Sequence, residues 1–356
     1  MIKLVEVIDE LEMGGAQHVL YQLVSQLDKK KFDITIVCFK KARPFASMLE
    51  QQVLSEGYKV IYLKAKKKRY KYLELMWVLT KIRPDIIHAH QTGIVAAYWG
   101  FFARVKTIVT IHTKPSKAFI VKRSRKAYRL GLKTKSIITV AISAFNKALC
   151  QEYWNIPEKE VCFVNNGVDV EGCVPEPHEG ISFINVGRQD ENKNQVLIVK
   201  AFRRFLEECS SNALLYLVGD GDCKEMLQDT VSSLNMEDKV VFTGYVSNPR
   251  TYLAKADVYI SSSHREGLSL SVLEGMAYGM PVIATDVGGV RDLAQDNGFL
   301  IADDDEDAMF KAMRDLYNNP EMRKQKGNVS MEMVQQYTIQ NMAECYTRLF
   351  EEHAKK

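Results

Sequence analysis

Short apolar, β-branched runs alternate along the chain with longer stretches whose apolar positions recur at helical spacing. In the first half the runs predict strands at Lys3–Ile8, Phe32–Phe39, Lys59–Leu63, Asp85–Ala89, Thr107–Ile111 and Ile137–Ile142. In the second half they predict strands at Ile181–Val186, Ala213–Val218, Val240–Phe242, Val258–Ser261, Val282–Ala284 and Phe299–Ile301. Buried strands that alternate with helices are typical of a parallel sheet with helices on both faces. The pattern predicts an α/β chain of two Rossmann-like, doubly wound domains.

A segment rich in glycine, proline and acidic residues, 166–180, interrupts this alternation and predicts the boundary between the domains. We expect an N-terminal domain over residues 1–168 and a C-terminal domain over 169–337. One helix is predicted to start at Pro320. The last, at about 338–356, is expected to pack back on the N-terminal domain. Because ligands bind outside the carboxyl ends of parallel strands, the two domains are expected to face a common cleft.

Composition agrees with two globular domains, since the 356 residues are 46% hydrophobic and 26% charged. No apolar run approaches the roughly 20 residues of a membrane-spanning helix. The start of the sequence has no signal-peptide pattern, so we expect a cytoplasmic protein that attaches, at most, to the cytoplasmic face of the membrane. The seven cysteines are scattered, which argues against a disulfide framework and against a zinc site.

The net charge of +4 conceals an asymmetry, because residues 1–170 carry +15 and the remainder −11. Basic residues concentrate in Lys64–Lys71 and Lys114–Lys135. A solvated basic face is one interpretation. No nucleic-acid-binding motif accompanies the charge, so no nucleic-acid partner is expected. An anionic inner-membrane surface or a lipid-phosphate acceptor fits the N-terminal domain better.

Two segments after predicted strands are candidates for phosphate binding. Gly14 and Gly15 open a helix, where glycines let backbone N–H groups approach a phosphate. A simple tight turn explains them equally well, and the dinucleotide pattern GxGxxG is absent. Arg188 and Lys193 follow the first strand of the C-terminal domain and supply two cations. An ordinary exposed loop is the alternative there.

Two acids separated by seven residues mark the sharpest motif. A strand ends at Ser261, a loop carries Glu266, and a helix that begins near Ser269 holds Glu274 in its second turn. The N–H groups of residues 268–271 would form an anion site at the positive end of this helix, and the carboxylates suit sugar hydroxyls. The alternative makes Glu266 a capping residue and Glu274 a solvated helix acid.

The spacing Glu-x7-Glu followed by GMPVIATDVGG resembles the retaining glycosyltransferases of family 4, which have the GT-B fold. Further segments follow in the family's order: Gly14-Gly15, Ile111-His112-Thr113, Asn166–Asp169, Gly187-Arg188 with Lys193, Val218–Gly221 and Phe242–Val246. The match covers nearly the whole chain. Gln17, where many members have Glu, and Gly275, where Ala is common, depart from the pattern.

The resemblance implies transfer of a hexose-type sugar from a UDP- or GDP-sugar to a glycan or lipid-linked glycan, as in cell-surface polysaccharide biosynthesis. It implies no cofactor and no divalent metal, because cations and helix N–H groups stabilise the departing diphosphate. The acidic string 303–307 is expected to cap a helix rather than to bind a metal. The implied donor-binding residues are Gly14, Gly15, Arg188, Lys193, Val246, Gly267, Leu268, Ser269, Leu270 and Glu274.

Within this set the resemblance implies that Glu274 binds the ribose hydroxyls and that the backbone near Val246 receives the base. Glu266 is expected to contact the donor sugar and to stabilise the positive charge that develops on its ring. A covalent nucleophile would need a second acid at short range, so we favour departure of the diphosphate on the face that the acceptor attacks. The resemblance alone places His112 at the donor sugar, since a lone histidine is more often structural.

Two other functions remain compatible with the sequence. A GT-B phosphorylase or a nucleotide-sugar epimerase would keep the fold and change the chemistry. A non-catalytic binder of nucleotide sugars or nucleic acid would bind its ligand without turnover.

Overall fold

The computed structural model describes residues 1–12, 14–43, 47–90, 94–112, 128 and 131–355. They form two compact units, one of Met1–Gly167 with Ile339–Lys356 and one of Val168–Thr338. Each unit contains a parallel sheet with flanking helices, which confirms the predicted pair of Rossmann-like domains. Thr113 and most of the basic segment 114–135 lie outside the described residues.

The sheet of the N-terminal unit is seven-stranded in the described part of the chain, in the order β3-β2-β1-β4-β5-β6-β7. Its strands are β1 (Ile2–Ile8), β2 (Phe32–Cys38), β3 (Lys59–Tyr62), β4 (Ile86–His90), β5 (Lys106–Ile111), β6 (Ile137–Ala141) and β7 (Val161–Phe163). Its helices are α1 (Gly15–Gln26), α2 (Met48–Ser55), α3 (Lys68–Ile82), α4 (Ile94–Ala103) and α5 (Ala144–Trp154). The strand order reverses between β1 and β4, where doubly wound sheets bind ligands.

The second unit repeats this plan with a six-stranded parallel sheet in the order β10-β9-β8-β11-β12-β13. Its strands are β8 (Ile181–Val186), β9 (Ala213–Val218), β10 (Val240–Gly244), β11 (Val258–Ser261), β12 (Val282–Thr285) and β13 (Gly298–Ile301). Its helices are α6 (Gln195–Glu208), α7 (Lys224–Ser233), α8 (Arg250–Leu253), α9 (Leu270–Ala277), α10 (Glu306–Asn318) and α11 (Pro320–Val334). Here the order reverses between β8 and β11.

The last helix, α12 (Ile339–His353), belongs to the N-terminal unit. Its Phe350 ring packs edge-on against Phe32 at a centroid distance of 6.0 Å. The hydroxyl of Tyr346 lies 2.8 Å from Oγ1 of Thr110 in β5. None of the helices in the described ranges is long and apolar enough to cross a bilayer.

All twelve predicted strands are present, with ends that differ by at most two residues. The sequence missed β7, which is only three residues long and therefore too short to show a period. The expected caps are also confirmed. Asp305 accepts a hydrogen bond from the backbone N–H of Ala308 at the start of α10, and Pro320 occupies the first turn of α11.

Close packing of α11 against backbone gives a test of this fold. A Cβ atom at Gly327 would lie 2.1 Å from the carbonyl oxygen of Gly279. Helix propensity favours alanine over glycine by about 1 kcal/mol, but overpacking against rigid backbone costs about 1–3 kcal/mol. We therefore expect Gly327→Ala to lower the free energy of unfolding in urea. The matched control is Asn328→Ala, at an exposed position of the same helix, which should leave stability unchanged or slightly raised. A Gly327→Ala variant as stable as its control would contradict the contact.

Candidate active site

The loops that follow β8 and β11 meet at the reversal point of the second sheet. The hydroxyl of Ser262 donates to the carbonyl oxygen of Lys193 at 2.7 Å. The backbone N–H of His264 donates to the carbonyl oxygen of Asn192 at 2.8 Å. These bonds hold the Lys193 loop and the Glu266 loop together as one backbone network.

Lys193 and Glu266 form a largely buried ion pair between the ammonium group and Oε1 of the carboxylate. Their side chains are 20% and 14% exposed, respectively. The hydroxyl of Ser263 donates to the same carboxylate oxygen at 3.0 Å. The structure therefore brings together two side chains that the sequence assigned to different parts of the donor, and this pairing was not predicted.

The backbone at Glu266 is fixed by the glycine pair that follows β12. Gly288 has φ +56, in the left-handed region that favours glycine. A Cβ atom there would lie 1.8 Å from the carbonyl oxygen of Glu266, and the N–H of Gly289 donates to that oxygen at 3.3 Å. No other residue type fits at Gly288 without moving the Glu266 loop.

Arg188 is the more exposed of the two predicted phosphate ligands, since its side chain is 75% exposed, and it pairs with Asp190 at 2.6 Å. The neighbouring Gly187 lies under the Lys193 side chain, because a Cβ atom there would be 3.3 Å from Cε of Lys193. Both cations therefore lie next to Gly187, which directly follows β8.

Helix α9 begins at Leu270 with Ser269 as its N-cap, as the sequence predicted. The side chain of Ser269 makes no capping hydrogen bond, and the first turn contains no acidic residue. The first N–H groups of a helix have no partner within the helix and carry its positive end. Gly267 and Leu268 lead directly into this end, so the geometry suits an anion; the ligand itself stays a prediction.

Glu274 occupies the second turn of α9 and is half-buried. Burial raises the pKa of its carboxyl to about 7, against the opposing effect of the positive charge of Arg250. Arg250 itself pairs with Asp169 at 2.7 Å. Val246, the predicted base contact, follows the edge strand β10 and is half-buried.

In the N-terminal unit, α1 begins at Gly15 with an extended Gly14 as its N-cap and no side-chain cap. His112 directly follows β5 and is 5% exposed. Its Nε2 lies 2.8 Å from Nδ1 of His90. Burial lowers the pKa of His112 well below the usual value, and the charges of His90 and His88 add to this.

A buried carboxylate, Glu6, stands behind His90 and was not singled out from the sequence. Its Oε2 lies 3.1 Å from Nε2 of His90 and 2.9 Å from Nδ1 of His88. Burial alone would raise the pKa of Glu6, but the charges and hydrogen bonds of these histidines lower it to about 2. The signal was present, because Glu6 interrupts an apolar strand and His88 and His90 alternate onto one face of another.

Two groups of residues in the described ranges have the donor atoms and spacing for a metal ion. In the group of Glu6, His88 and His90, these atoms hydrogen-bond one another. The second group, His264 with Asp303 and Asp304, is more exposed, and Nδ1 of His264 lies 2.8 Å from Asp303. Whether transfer needs a metal stays a prediction.

Two family models match the chain: "Glycosyltransferase Family 4" over residues 13–171 and "Glycosyl transferases group 1" over residues 174–331. Among curated proteins, the chain is 25% identical to the Campylobacter jejuni N-acetylgalactosamine-N,N'-diacetylbacillosaminyl-diphospho-undecaprenol 4-alpha-N-acetylgalactosaminyltransferase, over 91% of this chain and 92% of that protein. It is also 25% identical to the Escherichia coli UDP-Gal:alpha-D-GlcNAc-diphosphoundecaprenol alpha-1,3-galactosyltransferase, over 85% of this chain and 84% of that protein.

The fold is similar to that of Anabaena HepE in complex with UDP, with a TM-score of 0.84, 16% identity, and coverage of 99% of this chain and 100% of that one. The two family models between them span nearly all of both units. The chain therefore belongs to the glycosyltransferases of family 4 and has their GT-B fold.

Proposed function

We propose that this glycosyltransferase moves a hexose-type sugar, with retention of configuration, from a UDP- or GDP-sugar to a lipid-linked glycan in polysaccharide biosynthesis. The observation that carries the proposal is the Lys193–Glu266 ion pair at the β8–β11 reversal point, beside the uncapped start of α9. The names of the Campylobacter and Escherichia relatives, which act on undecaprenol-diphosphate-linked sugars, support an acceptor of that kind.

In this mechanism Lys193 and Arg188 bind the diphosphate of the donor together with the first N–H groups of α9. Glu266 accepts a hydrogen bond from the donor sugar and stabilises the positive charge that develops at the anomeric carbon. The departing phosphate oxygen takes the proton of the acceptor hydroxyl, so no separate protein base is required. His112 contacts the donor sugar, an assignment that rests on the family resemblance.

The same cations would take the place of a divalent metal. An ammonium, a guanidinium and a helix N-terminus supply positive charge where negative charge develops on the leaving group. We therefore propose that transfer continues in the presence of EDTA.

Substitutions of the ion pair test this reaction. Glu266→Gln and Lys193→Ala are each expected to lower transfer about 10²–10³-fold, the usual cost of removing one preorganised charge stabiliser. The control, Lys239→Ala, removes a half-buried lysine outside the proposed site that pairs with Asp238 at 3.4 Å. The assay uses a panel of UDP- and GDP-sugars with an undecaprenyl-diphosphate-linked acceptor. NMR of the product reports the anomeric configuration.

An inverted product would reject retention. Sugar phosphate released without an acceptor would favour a phosphorylase, and donor binding without turnover in the unchanged chain would favour a binding protein. Near-normal transfer by Glu266→Gln would reject the site.

The raised pKa of Glu274 gives a second test of the site. Replacing Glu274 should stabilise the fold and weaken donor binding. An ordinary glutamate ionises near pH 4.3, whereas the Glu274 carboxyl has a pKa of about 7. Between these values the unfolded chain releases its proton first, so the free energy of unfolding falls as pH rises. We expect Glu274→Gln to be more stable than the unchanged chain at pH 8, with the difference shrinking toward pH 5, in urea unfolding experiments.

The same Glu274→Gln variant should bind a UDP-sugar about 10–100-fold more weakly, since it loses hydrogen bonds from the ribose to a charged acceptor. Calorimetric titration with a UDP-sugar measures this. Equal affinity in the two proteins would remove Glu274 from the donor site, whatever happens to stability.

Helices α3 and α4 carry an exposed aromatic and basic surface that fits an anionic membrane. Leu73 and Trp77 are 62% and 58% exposed on α3, and Phe102 is 77% exposed on α4. Nζ of Lys81 lies 3.8 Å from the centroid of the Trp77 ring. Apolar groups that insert among lipid headgroups and cations that attract anionic lipids act together in peripheral attachment. We propose that this surface brings the enzyme to its lipid-linked acceptor.

Vesicle sedimentation tests the surface. Each basic residue near an anionic membrane contributes about 1 kcal/mol. Replacing Lys66, Lys67 and Arg69 together by glutamine should therefore weaken binding to phosphatidylglycerol vesicles about 100-fold. Trp77→Ala should weaken it further. The control Phe163→Ala removes another exposed aromatic ring, from β7. Equal binding to phosphatidylcholine and phosphatidylglycerol vesicles would contradict the proposal.

A further inference from the structure

The N-terminal unit contains a buried row of hydrogen-bonded side chains that ends at His112. The parallel register places Glu6 of β1 beside His88 of β4. His90 lies two residues further along β4, opposite Thr110 of β5, and His112 lies two residues beyond Thr110. Because side chains alternate along a strand, these groups share one face of the sheet. Glu6, His88 and His90 are at most 1% exposed.

The hydrogen bonds along this row determine where each proton lies. The pKa of Glu6 is lowered to about 2, so its carboxylate only accepts hydrogen bonds. The 3.1 Å contact between Glu6 and Nε2 of His90 therefore requires the proton of His90 to be on Nε2. Burial lowers the pKa of His90 to about 4, which leaves its ring neutral and its Nδ1 without a proton.

The next contact continues this order. Nδ1 of His90 and Nε2 of His112 are 2.8 Å apart, a hydrogen-bond distance that needs one proton between them. Since Nδ1 of His90 has none, Nε2 of His112 must donate. The ring of His112 is neutral as well, so its own Nδ1 carries a lone pair.

We propose that Glu6 and His90 are positioning residues that fix the proton of His112 on Nε2, so that Nδ1 of His112 accepts a hydrogen bond from a hydroxyl of the sugar substrate. The inference rests on the proposed place of His112 at the donor sugar. It makes His112 a hydrogen-bond acceptor that orients a hydroxyl, and it excludes His112 as the acid that protonates a leaving group.

A second branch of the row provides a matched control. Nε2 of His88 lies 2.8 Å from Oγ1 of Thr110, which lies 2.8 Å from the hydroxyl of Tyr346 in α12. This branch reaches Glu6 through Nδ1 of His88 and contains neither His90 nor His112. Tyr346→Phe removes its terminal hydroxyl and keeps the ring, without touching the contact between His90 and His112.

The test combines NMR of the histidine ring nitrogens with kinetics, both on the full chain. The chain has seven histidines, and His112→Gln assigns the His112 signals by their loss. In the unchanged chain we expect His112 to be neutral at pH 7 with its proton on Nε2. In Glu6→Gln, the new amide can donate a hydrogen bond to Nε2 of His90, so the proton of the His90 ring can move to its Nδ1. His90 then donates to Nε2 of His112, and the proton of the His112 ring moves to Nδ1 of His112.

Glu6→Gln should accordingly populate the reversed form of His112 and lower kcat about 10–100-fold, the range found when a metal-binding histidine loses the partner that orients it. The KM for the donor should change little, because the proposed ribose contact Glu274 and the cations Arg188 and Lys193 lie in the other unit. Tyr346→Phe should keep the His112 proton on Nε2 and keep kcat, even where its Tm is lower.

Several results would overturn the proposal. One is a His112 ring that is charged, or protonated on Nδ1, in the unchanged chain. This result does not depend on whether any variant folds. Another is a folded Glu6→Gln with the original His112 proton position and normal kcat. Stoichiometric zinc in the purified chain would also overturn it, because a metal held by Glu6 and His90 would displace the proton on Nε2 of His90. If NMR shows the stated proton positions but the chain transfers no sugar, the assignment of the histidine protons is confirmed and the proposed transfer reaction is wrong.

Discussion

The parallel pairing of β8 with β11 is the constraint on which the candidate site depends. The pairing aligns Phe183 with Val258 and Ile184 with Tyr259, so both strands end at the same edge of the sheet. Two loops that are about 70 residues apart in sequence thereby meet, and Lys193 reaches Glu266. Because the strand order reverses at this point, no other strand covers the gap between the two loops. The ion pair is thus a consequence of topology.

Glu6, Glu266 and Glu274 show how the environment of a carboxylate determines its use. Glu6 has two histidine partners, and its pKa is lowered to about 2. Glu266 has Lys193 and Ser263. For Glu274 the dominant effect is desolvation, and its pKa is raised to about 7. A buried acid without close compensation destabilises the fold once ionised. Such a cost is typical of a functional carboxylate. The histidines compensate the charge of Glu6, so it stays ionised and accepts their hydrogen bonds.

The sequence predicted every strand of the described residues except β7, the starts of α1, α9, α10 and α11, and the positions of Glu266 and Glu274, because each depends on local pattern or on capping chemistry. Lys193 and Glu266 could be placed on loops but not paired, since their contact depends on which strands are neighbours. The same holds for the Glu6 row, where β1 contributes Glu6 to a cluster with residues of β4 that are at least 82 positions later in the sequence. Gly288 shows the same limit, because its need for glycine arises from the carbonyl of Glu266 as well as from its own left-handed turn.

The departure from the family pattern at Gly275 also has a structural cause. A Cβ atom at Gly275 would lie 2.5 Å from the Tyr259 ring, so the alanine common in the family would collide with this tyrosine. The Tyr259 hydroxyl donates in turn to the carbonyl oxygen of Val186 at 3.2 Å. Gly275 and Tyr259 therefore pack as a pair. This pair connects α9, which holds Glu274, to the end of β8, which precedes Arg188. A change at either residue would move the proposed ribose and phosphate contacts together, because the same ring sets the distance between them.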